Sequence, residues 1–166
     1  MPTYRRRTRI AAPLERVWEF HSRVEGLTAL TPDWMNLRID SVVGPDGERD
    51  LEILEEGTRI RMSLHPFGIG PRRGWTSHIR RRRSNPGRAY FIDDMEEGPL
   101  PRWEHTHLFF ADGDETVLVD DLEYRMPIGI VTDRLDPLVQ LGFEAMFRDR
   151  HRKTGSLLEE TGDETS

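Results

Sequence analysis

His105 and His107 stand two residues apart in the segment Arg102–Ala111, which reads as an extended strand. In a strand, side chains two positions apart share one face. Trp103, His105, His107 and Phe109 therefore lie together, with the two histidine Cα atoms roughly 7 Å apart. Leu108 and Phe110 are apolar as well, so the opposite face remains an alternative for the interior. By the same parity Phe91, Asp93 and Met95 share a face of the preceding segment, and Leu118, Asp120, Leu122, Tyr124 and Met126 share one on the following segment. Three chemistries fit two histidines among such carboxylates. With Asp93 they make a two-histidine, one-carboxylate metal set. As a proton-transfer group, a pocket histidine beside a carboxylate is tuned close to neutral pH. In the third reading, hydrogen bonds to Asp93, Asp120 or Tyr124 hold the histidines, and they orient a ligand. The third is the one adopted, with no metal and no cofactor; His105, His107 and Asp93 stay the candidates should there be catalysis.

Other chemistries are excluded or weakened. The chain has no cysteine, which removes disulfides, thiolate metal sites and cysteine nucleophiles. Asp93 and Asp94 cannot both face inward from a regular strand, which weakens glycosidase chemistry needing two carboxylates. Gly155-Ser156 lacks the pattern of a nucleophile elbow. Gly68-Ile69-Gly70 lacks the strand–helix setting of a dinucleotide loop. Trp18 reads as core, and His21 as a satisfied residue between elements.

The elements that must position these groups fit a chain of 166 residues, which suits one domain over 1–158 with a disordered tail over 159–166. Apolar residues are 36% and charged residues 33%. The net charge of −6 argues against nucleic-acid binding. The run Arg80-Arg81-Arg82-Arg83 reads as a solvated strand end before the turn at Asn85-Pro86-Gly87. No apolar stretch approaches the roughly 20 residues of a membrane span, and the arginine-rich start lacks the apolar stretch of a secretory signal, so a soluble, cytoplasmic protein is expected.

Thr3–Ile10 alternates as a strand. Pro13 suits the first position of a helix carrying Leu14, Val17, Trp18 and His21 on one face, and Val24–Leu30 reads as a second short helix. Six extended segments follow: Leu37–Val43, Thr58–His65, Gly74–Arg83, Arg88–Glu96, Arg102–Ala111 and Thr116–Met126. Turn residues at their joints favour antiparallel neighbours. Asp136-Pro137 reads as the start of a long final helix reaching about Leu158. Its apolar arc, Leu138 to Met146, is wider than a single buried stripe and predicts contact from more than one side, with the far end emerging into solvent. The expected fold is α+β: a seven-stranded, curved antiparallel sheet wrapped around a long C-terminal helix, with two short helices after the first strand and a cavity between helix and sheet.

This order resembles the helix-grip fold of the SRPBCC superfamily (START/Bet v 1-like), and in particular its polyketide cyclase-related ligand-binding members. The carriers are Ala12–His21, Leu30-Thr31-Pro32, Gly57–Ile60, Phe67–Ile69, Gly98-Pro99 with Trp103–His107, and Tyr124–Gly129. The resemblance implies an internal pocket for hydrophobic or amphipathic small molecules and no general metal requirement. It implies no single reaction: an aromatase/cyclase-like, hydrolase-like or isomerase-like enzyme using His105 or His107 is the alternative to a binding or transport protein. Parity and helix arc nominate Trp75, Phe91, Trp103, Tyr124, Phe143 and Phe147 as the apolar pocket wall, with Asp93, His105 and His107 as its polar contacts. Oligomeric state is not readable.

Overall fold

A computed structural model describes residues 1–127 and 132–159, with the side chains of 132–135 left out of the description. Strand β1 (Thr3–Ile10) leads into helices α1 (Leu14–His21) and α2 (Val24–Leu30). A 3-10 turn then opens six strands: β2 (Arg38–Val43), β3 (Arg59–Leu64), β4 (Arg73–Asn85), β5 (Arg88–Glu96), β6 (Arg102–Asp112) and β7 (Glu115–Arg125). Helix α3 (Thr132–Glu159) closes the order. Each expected strand is present, with no end displaced by more than two residues. Pro13 sits just before the first helical residue, in extended geometry, rather than within the helix.

All seven strands join one antiparallel sheet in the order β1-β7-β6-β5-β4-β3-β2. Strands β2 to β7 form a continuous meander, and β1 pairs with β7 in the register Thr3↔Glu123 to Ile10↔Thr116. Two irregularities, at Ile39/Ser41 and Ile79/Arg81, help to bend the sheet. The second also resets parity. Ile79 is buried, Arg80 and Arg81 are both outside, and Arg82 turns inward to cover Trp18, 4.8 Å from its ring centre, while donating to Ser22 Oγ at 2.9 Å. Arg80 pairs with Asp94 at 2.9 Å and Arg83 with Glu56, so this run is tied into the fold's own ion pairs. Asp94 thus points outward and Asp93 inward, as strand geometry requires.

Buried apolar residues gather in two clusters. One lies under α1 and includes Ile10, Val17, Ile60, Ile79, Phe91 and Phe109; the other, against α3, holds Tyr4, Leu122, Tyr124 and Phe147. Trp18 packs on Phe91 and Phe109 at the edge of the first.

Helix α3 departs from expectation in two ways. It starts before Asp136-Pro137, so Pro137 lies inside it, where its ring removes one backbone hydrogen bond. Asp136 does not cap the helix; it accepts from Tyr124 Oη at 2.5 Å and from Gln140 at 3.1 Å. The wide apolar arc is also not enclosed: Leu138 is 64% and Leu141 66% exposed, and Ala145 is outside. Instead, a helical stripe through Phe143, Phe147, His151, Thr154 and Leu158 faces the sheet and the first two helices, so the far end is buried rather than emergent. The expectation of an emergent far end rests on Asp149, Arg152 and Lys153 entering the apolar arc; the stripe that is buried there includes His151 and Thr154, whose hydrogen bonds make both acceptable inside. Of the expected tail, Glu159 belongs to α3 and receives the Ala11 amide at 2.9 Å; residues 160–166, like Ile128 and Gly129, lie outside the described residues.

Candidate functional site

Between the sheet and α3 lies a cavity of about 310 Å³. Sheet residues supply half of its wall. Ile60 and Met62 come from β3, Trp75, Ser77 and Ile79 from β4, Phe91, Asp93 and Met95 from β5, and Trp103, His105 and His107 from β6. These are the inward sets that period two assigns to each strand. Helix α3 adds Phe143, Met146, Phe147 and Arg150, and α1 and α2 add His21, Leu27 and Leu30. Eight of the nine nominated residues therefore meet around one space; Tyr124 does not. It is fully buried behind the wall, edge-on to Phe143 at 4.9 Å, and its hydroxyl is engaged by Asp136. Burial, reinforced by that carboxylate, pushes its phenol up to about 12. Arg73 and Arg150 were not foreseen; both line the cavity without a carboxylate partner among the described residues.

The polar side of the cavity is a buried network across three strands. Asp93 sits directly opposite His105 in the β5–β6 register, and Asp120 directly opposite His107 in the β6–β7 register. His107 Nε2 lies 2.8 Å from Asp93 Oδ2, and Ser77 donates to Asp93 Oδ1 at 3.3 Å. His105 Nε2 lies 2.8 Å from Asp120 Oδ1. His151, which strand parity had no means to find, reaches from α3 to Asp120 Oδ2 at 2.5 Å and to Thr8 Oγ1 at 2.6 Å. His107 Nδ1 is 3.1 Å from Asp120 Oδ1 but out of line with it, and so stays buried without a hydrogen bond.

Electrostatics separate the two histidines. Burial holds His105 below the ordinary histidine value, helped by its neighbour His107 and only partly opposed by Asp120 and Asp93. Burial also acts against a charge on His107, but Asp120 and Asp93 together outweigh it and hold His107 above the ordinary value. Burial would raise both carboxyls. The surrounding histidines prevail and keep Asp93 low and Asp120 well below the usual range. The site therefore combines a buried carboxylate, Asp120, and a partly buried one, Asp93, with a histidine that favours its charged form and one that favours its neutral form. His21, on the wall near α1, is satisfied by the Val17 carbonyl at 2.8 Å and packs 4.9 Å from Phe109, between elements as expected.

An apolar cavity of this size carrying a few convergent polar groups has the build of a small-molecule site. Residues 10–148 match the family model described as polyketide cyclase / dehydrase and lipid transport. The chain belongs to this family. Solved structures of similar shape agree with the fold. A protein of Thermus thermophilus is 22% identical, with a TM-score of 0.65 over 94% of this chain and 99% of that one. A START superfamily protein of Mycobacterium smegmatis is 14% identical, with a TM-score of 0.63 over 96% and 98%. Norcoclaurine synthase of Thalictrum flavum is 15% identical, with a TM-score of 0.65 over 96% and 87%. At these identities the likeness establishes the helix-grip architecture and no particular chemistry. Among curated proteins no sequence match was found. No helix among the described residues is long and apolar enough to cross a membrane.

Proposed function

We propose that this family member binds or carries a hydrophobic or amphipathic small molecule between its sheet and α3. The carrying observation is the cavity itself: about 310 Å³ lined by Leu30, Met62, Trp75, Phe91, Trp103 and Phe147 among others. A space of that size behind a mainly apolar wall is better filled by an apolar ligand than by water. The arginine ends of Arg73 and Arg150 favour a ligand whose polar end is anionic. A cytoplasmic location belongs to the same proposal.

Native mass spectrometry of the purified protein tests this first, by detecting a co-purified small molecule. Thermal denaturation with palmitate tests it second. Trp103→Ala and His105→Ala should each abolish palmitate-dependent stabilisation while leaving the chain folded. An unchanged response in both variants removes the proposal.

One observation favours a second reading, an aromatase/cyclase-like or other proton-transfer enzyme: His105 and His107 lie on the cavity wall with unlike proton affinities. A His105→Ala variant that still binds substrate but loses turnover would establish it, and stoichiometric protection without turnover would reject it.

A further inference from the structure

The histidine–carboxylate network is more elaborate than an apolar pocket needs for its polar end. It has a front and a back. In front, His105 Nδ1 and His107 Nε2 converge on Asp93 Oδ2 at 3.9 and 2.8 Å. One donor atom from each of the three residues lies within 4.8 Å of the others. Zinc-type bonds of roughly 2.0–2.1 Å in a tetrahedron put neighbouring donor atoms roughly 3.3 Å apart, a spacing between the two distances observed. Two histidines on one strand face, with a carboxylate directly across the ladder, thus bring three donor atoms within reach of one ion.

At the back, Asp120 addresses the other nitrogen of each ring, at 2.8 Å for His105 Nε2 and 3.1 Å for His107 Nδ1. A carboxylate behind a ligating histidine fixes its tautomer and strengthens the forward nitrogen as a donor. His151 and Thr8 hold Asp120 in place from α3 and β1. The same arrangement accounts for the buried His107 Nδ1 that now lacks a hydrogen bond. With Nε2 bound to an ion, the ring proton would sit on Nδ1, beside Asp120 Oδ1. Among the described residues no lysine or arginine is bonded to Asp93 or Asp120, so histidines alone face both carboxylates.

We infer that Asp93, His105 and His107 form a binding site for a divalent transition-metal ion, with Asp120 as the positioning residue behind both histidines and a fourth coordination position open to the cavity. The nitrogen and oxygen donor set suits zinc or cobalt(II) better than calcium or magnesium. The open position faces the space assigned to the ligand, so a carboxylate or similar oxygen end would coordinate there. The ion would make the polar end of the cavity a specific anchor. The ion site itself stands independently of the apolar-ligand proposal.

The test is titration of the metal-stripped full chain with cobalt(II), read by its visible absorption, with zinc as competitor. We expect one ion per chain, the strong absorption of a four-coordinate centre and displacement by zinc. His105→Ala and His107→Ala should each abolish the absorption. Asp120→Asn should weaken affinity about 10- to 100-fold. His65→Gln and His78→Gln, away from the cavity, should change nothing. Adding octanoate should alter the spectrum if the fourth position is open; an unaltered spectrum overturns that clause. Circular dichroism confirms that each variant is folded, and Asp93→Asn serves as the conservative check should a histidine variant fail to fold. Failure of the wild-type chain to bind cobalt(II), or binding that survives loss of both histidines, overturns the inference. A folded His105→Ala chain that loses cobalt yet keeps palmitate-dependent stabilisation supports the metal site while overturning the role given to His105 in the apolar-ligand proposal.

Discussion

Burying His21 against Phe109 carries a penalty in acid. Burial holds its imidazole down at about 3, against 6.5 for a free side chain. Arg150 from α3 acts in the same direction, as does His107 from β6, and Asp120 from β7 opposes them. The unfolded chain takes up a proton at this position below about pH 6.5, and the folded chain does not until about pH 3. Stability contributed by neutral His21 is therefore complete above about pH 6.5 and declines by about 1.4 kcal/mol per unit as pH falls through that window. Urea denaturation of the wild type and His21→Gln should show their stability difference moving by about 2 kcal/mol against the wild type between about pH 6.5 and 5. Parallel curves would mean that His21 titrates normally in the fold. The neighbouring site shows how much a strand discloses by itself. Asp93, His105 and His107 are found together because period two holds along β5 and β6, and Asp120 falls on the inward parity of β7. His151 is invisible to that logic, because only the packing of α3 on β1 and β7 brings it to Asp120.

Among the elements, α3 separates what hydrophobic periodicity shows from what it hides. The strand count, the antiparallel order and both short helices follow from alternation and turn chemistry. The orientation of α3 does not, since its apolar residues span more of its circumference than the sheet covers. Leu141→Lys should therefore change stability by less than about 0.5 kcal/mol. Phe147→Ala, on the covered stripe, should cost about 3–5 kcal/mol. Similar costs for the two would mean that the outward face of α3 is covered after all; chemical denaturation of both variants decides. The joint between α1 and α2 is equally specific. A Cβ on Gly26 would stand 2.0 Å from the Phe20 carbonyl oxygen, a backbone atom that cannot swing aside. Gly26→Ala should cost about 1–3 kcal/mol or more by forcing the two helices apart, measurable in the same way. Pro137 gives the opposite lesson: a residue that normally marks a helix start is accommodated inside α3, with Asp136 diverted to Tyr124.

At the scale of the whole molecule, the cavity is a place where close packing is left incomplete, and an occupant should repay that. A ligand present at about a hundredfold its dissociation constant adds about 2.7 kcal/mol to the folded state. In a chain of this size that corresponds to a melting-temperature rise of about 5–10 °C, readable by calorimetry. No shift with a ligand shown by mass spectrometry to be bound would mean that it binds the unfolded chain as well as the folded one. The closure of the sheet also bears on how the chain reaches this state. Thr3 faces Glu123, so β1 has its strand partner more than a hundred residues downstream, while β2 to β7 each meet a neighbour soon after they are made. During synthesis β1 emerges before the other six strands and must wait, unpaired, for β7 to follow it. Docking of β1 should accordingly be the late, slow event of folding, with the meander assembled before it.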